Sequence, residues 1–182
     1  MNMKTLHSTR VYMESSLVAI AHLDFDQITK AAEVLSDARK TLSNVWIVGN
    51  GGSASTANHL ANDLYKMCNI RAISLPLLVP TVLAYGNDTG WRNMFVGAFG
   101  KLYTPGDVLI AISCSGNSDN VVACAEMVEK PIILMTGNNR KSKLAQMNPK
   151  AVIYVDNDDI TIQESVHSVV CHAIARILSV PM

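Results

Sequence analysis

The sequence predicts an α/β protein: a doubly wound, parallel five-stranded sheet with helices on both faces. Two observations predict it. Short apolar, β-branched runs recur along the chain with helix-length segments between them, and two of these runs end in small polar turns, Gly49 to Ser53 and Ser113 to Ser118. Runs that are apolar without alternation suit strands covered on both faces, and strands alternating with helices imply parallel crossovers. Ligands of such sheets bind beyond the carboxyl ends of the strands, where both turns fall.

Residues from about Met3 to Ala21 have apolar positions at Leu6, Met13, Leu17 and Ile20 and predict a first helix. A second runs from about Asp26, a candidate N-cap, to Leu42, with an apolar stripe of Ile28, Ala31, Ala32, Val34, Leu35 and Ala38. Two helices before the first strand are more than the sheet needs; they cover their own sheet or pack against a second subunit. Val45 to Val48 is the first strand, and a helix continues from Ala54 without Gly or Pro through Lys66. Ala72 to Leu75 is the second strand, followed by a less regular segment through Pro80 and Gly86 to Gly90 and a helix near Trp91 to Lys101. The pattern then gives strand Val108 to Ile112, helix Asp119 to Glu129, strand Ile132 to Met135, a short helix, strand Val152 to Val155 and a last helix from Ile162 to Leu178.

Glycines at Gly49, Gly51 and Gly52 let the backbone turn tightly, and the N–H groups opening the next helix favour an anion such as phosphate. An ordinary βα turn is the plainer reading. Gly49, Gly51 and Ala54 also satisfy a dinucleotide fingerprint, but that requires an acidic residue about 20 positions on. Pro76-Leu77-Leu78 stands there instead. In the second turn, Ser113, Ser115 and Ser118 surround Gly116 and Asn117 before a helix, which suits three phosphate oxygens; Ser118 as a simple helix cap is the alternative.

His59 and Asp63 share one face of a helix at i, i+4, a spacing that serves a metal, an acid–base pair or a plain surface hydrogen bond. The last helix adds Gln163, Glu164, His167 and His172. Glu164 and His172 stand ~80° apart around the axis but ~12 Å apart along it, so either Glu164 precedes the regular helix or the pair is divided between neighbouring sites. His167, one turn after Glu164, is a substitute ligand or a buried core histidine. His7 and His22 read as structural or surface residues.

The 182 residues suit one domain, and fifteen basic residues balance fifteen acidic ones, so no global field draws nucleic acid or an anionic membrane. No apolar run approaches a membrane span, and the N-terminal stretch lacks the apolar core of a secretory signal. Cys68, Cys114, Cys124 and Cys171 are scattered, as expected of reduced thiols in a cytoplasmic protein.

The chain resembles the sugar isomerase (SIS) domain, and within it the sedoheptulose 7-phosphate isomerases, also called phosphoheptose isomerases. The resemblance rests on GNGGSA at Gly49 to Ala54, NHLAND at Asn58 to Asp63, GND at Gly86 to Asp88, SCSGNS at Ser113 to Ser118, MTG at Met135 to Gly137 and QESVHSVVCH at Gln163 to His172. It implies a flavodoxin-like sheet, a homotetramer with sites near subunit interfaces, heptose biosynthesis, and a zinc ion held by His59, Asp63, Glu164 and His172. Ser53, Ser113, Ser115 and Ser118, with Gly51, Gly52 and Asn117, would hold the phosphate, and Asn50 and Asp88 the sugar. Asp63 would be the base of aldose–ketose isomerisation and His172 the acid. The family usually carries Glu at the position of Asp63, Gln at Glu164, Thr at Cys114, and Arg where this chain has Met67 beside Lys66. Some proteins of this resemblance bind phosphosugars or protein partners without catalysis, including a regulator that associates with the bacterial replication initiator.

Overall fold

The computed structural model describes residues 3–129 and 131–179. Five parallel strands, β1 (Val45–Val48), β2 (Ala72–Ser74), β3 (Val108–Ser113), β4 (Ile132–Thr136) and β5 (Ala151–Tyr154), are ordered β2-β1-β3-β4-β5. The chain winds outward in one direction from β1 and in the other from β3, so a crevice opens between the ends of these neighbours, the expected ligand position in a doubly wound sheet.

Every side chain of β1, β3 and β4 is buried, as their unbroken apolar runs require. Alternate residues serve opposite faces. Val45, Ile47, Ile110, Ile112, Ile133 and Met135 join a core with helices α1 (Met3–Ala21), α2 (Phe25–Thr41), α3 (Gly51–Cys68) and α8 (Ile160–Leu178). Trp46, Val48, Leu109, Ala111, Ile132 and Leu134 join a second core with α4 (Val79–Thr89), α5 (Val96–Leu102), α6 (Asp119–Glu126) and α7 (Lys143–Gln146). At the amino ends of β1 and β3, buried Asp107 accepts from Asn44 N–H, Trp46 Nε1 and Thr104 N–H. Burial pushes its carboxyl up, but these bonds outweigh it and hold the group below the usual carboxylate range.

Several boundaries differ from expectation. Asp24, not Asp26, caps α2, accepting from Asp26 and Gln27 N–H. The segment expected to be irregular contains α4, which tolerates Pro80 because its first turn needs no N–H from it. The helix expected from Trp91 to Lys101 is a single 3-10 turn at Trp91–Asn93 and then α5. Of the predicted stripe on α1, Leu6 lies outside the residues whose side chains are described; Ile20 packs against the core as expected, but Met13 and Leu17 are 58% and 65% exposed, and the helix buries Ala19.

Candidate active site

Both polar turns lie at the carboxyl edge of the sheet, one after β1 and the other after β3. Asn50 is extended and its carbonyl accepts Ala54 N–H, while Gly51 takes a left-handed φ of 52°. Such a turn points successive N–H groups into one concavity. None of the N–H groups of Gly51, Gly52 and Ser53 donates to another described residue, so three donors remain free for an anion. Gly52 lies directly against the Glu164 carboxylate, which would have to swing aside for a Cβ at this position. In the second turn Ser118 stands at the N-cap position of α6 but its side chain makes no capping bond; its hydroxyl meets Ser113 Oγ at 3.1 Å. Asn117 is engaged within the protein, its Oδ1 accepting Lys143 N–H and its Nδ2 donating to Ser115 O.

Cys114 reports how closely the parts meet. Burial pushes its thiol up, the Glu164 charge pushes it further, and a hydrogen bond with Ser53 partly offsets both. The first turn also lies directly against α8, where Gly52 meets the Glu164 carboxylate. Next to it, a cleft of about 360 Å³ is lined by Gly52, Ser55, Thr56, His59, Glu164 and Ser168. Tyr12 of α1 reaches its rim, with its hydroxyl 3.2 Å from Ser165 Oγ.

Across α3 and α8, His59 Nε2 and His172 Nε2 are 3.3 Å apart. Asp63 Oδ2 lies 3.5 Å from the first and 3.8 Å from the second. Ligand atoms ~2.0–2.1 Å from a tetrahedral zinc stand ~3.3–3.4 Å from one another, so these three atoms are close to, and slightly wider than, the spacing such an ion needs. Asp63 is buried, and its other oxygen accepts from Asn62 Nδ2 at 3.2 Å, which turns Oδ2 toward the imidazoles. The two histidines are exposed.

Not every expected residue joins this cluster. Glu164 lies within regular α8, which begins at Ile160, so the idea that it precedes the helix is excluded. It is outside the three-atom group and faces the cleft beside His59 and Gly52. His167 is fully buried, its Nε2 3.3 Å from Thr136 O, and burial pushes its pKa down to about 4. Gln163 is also buried and donates to Asn157 O. Neither lines the cleft beside His59. Asp88 is exposed at the end of α4, accepting from Asn87 Nδ2, and does not line this cleft. Met67 lines a second cleft with Asp63, His172 and Arg176; the cation on this side comes from α8, which the pattern of α3 could not reveal. Also missed was Asn120, whose position two residues into a helix resembles ordinary capping chemistry.

The SIS domain family model matches residues 11–135. The chain is 34% identical over 158 residues to the phosphoheptose isomerase of Helicobacter hepaticus, covering 83% of this chain and 80% of that one. It is 31% identical over 179 residues to that of Aquifex aeolicus, covering 93% of each. A solved phosphoheptose isomerase from Francisella tularensis matches at a TM-score of 0.88 and 27% identity, over 97% of this chain and 99% of the other. A sheet of this order, matched end to end by such relatives, places the chain in the SIS-domain family, among the phosphoheptose isomerases.

Proposed function

We propose that the protein is a phosphosugar aldose–ketose isomerase acting as one SIS domain, converting sedoheptulose 7-phosphate to D-glycero-D-manno-heptose 7-phosphate through an enediolate. The observation that carries this reading is the convergence of two anion-ready turns on a helix pair bearing His59, Asp63 and His172. Free N–H groups of Gly51, Gly52 and Ser53, with the hydroxyls of Ser53, Ser113, Ser115 and Ser118, bind the phosphate; Asn50 and Asp88 address the sugar. Holding the distant phosphate supplies binding energy that positions the reacting carbons. Asp63 takes the proton from C1 of the ketose and returns it to C2, and His172 moves the proton between the two oxygens.

His59, Asp63 and His172 are the residues to hold a zinc ion, with Glu164 in the adjoining cleft as fourth ligand. When bound, the ion supplies Lewis-acid stabilisation of oxyanion charge. The protein is cytoplasmic in this reading, with Cys68, Cys114, Cys124 and Cys171 all unpaired. Among the described residues no helix is long and apolar enough to cross a membrane. A homotetramer is the proposed assembly. Its support is α1, whose exposed Val11, Met13, Leu17 and Val18 flank the face turned to α8; a helix apolar on several sides ordinarily needs a second cover.

Proton NMR of the zinc-loaded protein with sedoheptulose 7-phosphate in deuterated water tests the reading. An aldoheptose anomeric signal, deuterium at C2 and loss of both with chelator are expected, and Asp63→Asn should bind the sugar without converting it. Binding without turnover by the unaltered protein would instead favour a phosphosugar sensor, a reading that the shorter carboxylate of Asp63 keeps open. Full activity in Asp63→Asn would remove that residue from the chemistry.

A further inference from the structure

Asn120 is fully buried, yet no role above uses it. It follows the serine turn as the second residue of α6, and its amide forms a closed pair with Asn50. Asn50 Nδ2 donates to Asn120 Oδ1 at 2.9 Å, and Asn120 Nδ2 donates back to Asn50 Oδ1 at 2.9 Å. The rest of Asn120 is also engaged: its Oδ1 accepts Val121 N–H at 3.0 Å, and its Nδ2 lies 3.2 Å from Met94 Sδ. Nothing in its own amide is left for a ligand.

Asn50 is different. The pair occupies one of its two amide hydrogens and one lone pair of its oxygen, leaving the others open. An Asn at this position ordinarily turns its oxygen onto the first N–H groups of its own helix. Asn50 makes no such bond, and the N–H groups it would cover, those of Gly52 and Ser53, stay free.

We propose that Asn120 is a positioning residue for the phosphosugar. By gripping the Asn50 amide it fixes the edge that Asn50 offers to the sugar, and it keeps that amide from closing over the N–H groups meant for phosphate. Because Asn50 belongs to the turn after β1 and Asn120 to the helix after the turn at β3, the same pair sets the spacing of the two turns. This rests on the phosphosugar reading above.

The test is a double-mutant cycle on the zinc-loaded protein, with Asn120→Ala, Asn50→Ala and the double variant assayed for sedoheptulose 7-phosphate turnover. Asn120→Ala is expected to raise KM about tenfold with kcat within about twofold and an unchanged pH profile, the signature of lost binding that is common to ground and transition states. In the Asn50→Ala background the same change should move KM by less than about twofold, since its effect passes through Asn50. An equal KM penalty in both backgrounds, or a fall in kcat at unchanged KM, overturns the proposal. If Asn120→Ala does not fold, Asn120→Ser serves in its place. Its hydroxyl can meet Val121 N–H but cannot reach Asn50, so the same outcomes decide. A wild-type protein that neither binds nor converts the sugar removes the isomerase reading and this proposal with it; normal wild-type kinetics with additive losses removes the proposal alone.

Discussion

His167 is the residue where the local pattern was least decisive, because one turn after Glu164 is as good a place for a ligand as for a core side chain. Burial decides it. Its Nε2–H donates to Thr136 O, its Nδ1 meets no partner among the described residues, and its pKa falls to about 4. Between about pH 4 and 6.5 the unfolded chain binds a proton that the native state refuses. The stability contributed by neutral His167 is therefore complete above about pH 6.5 and is lost as pH falls toward 4. The loss is on the order of 3 kcal/mol across that window. Urea unfolding of wild type and His167→Gln at several pH values checks this: the variant should show a flatter profile, and parallel profiles would count against burial of a neutral imidazole. Spacing also placed His59 beside Asp63, but it could not add His172, because no local pattern records how two helices lie against each other. Asn120 stayed hidden for the same reason.

At the scale of elements, the strands were the legible part. β1, β3 and β4 are buried on both faces, so their sequences are apolar up to the terminal Ser113 and Thr136 and the pattern is easily read. Helix α4 was hidden by Pro80, Gly86 and Gly90, residues that usually punctuate loops; here Pro80 sits in the first turn and Gly90 ends the helix. The serine turn was recognised as polar, but its shape depends on partners far along the chain. Gly116 takes φ 64°, and an added Cβ would strike Ser142 and approach Thr136 Oγ1 to 3.1 Å. Gly116→Ala should therefore cost about 2–4 kcal/mol, the sum of a left-handed conformation and overpacking. Thermal melting measures it. A loss below about 0.5 kcal/mol would mean that the turn adapts freely.

For the whole molecule, the doubly wound order follows from alternation of strand and helix, and the site falls where that order reverses direction. What alternation could not reveal is which faces lack cover. The flanks of α1 are one such face: α1 packs on α8, Tyr12 shares a cleft with His59, and both His59 and His172 are exposed. The paired substitution Met13→Asp with Leu17→Asp should reduce the proposed tetramer to smaller species in light scattering while preserving the circular dichroism of the fold. An unchanged mass in the doubly substituted protein would exclude this flank of α1 from the assembly.

The division of the site between α3 and α8 has a consequence for the order in which the protein acquires its abilities. Residues 49–63 and 113–118 bring both anion turns, His59 and Asp63, whereas Glu164 and His172 belong to the last described element. A chain synthesised from its amino end can pair β1 with β3 and so bring together the two turns proposed to hold phosphate before α8 exists. On the proposed roles, during that interval it would be a binder of phosphate without its acid, His172, and docking of α8 would be the event that turns the binder into a catalyst.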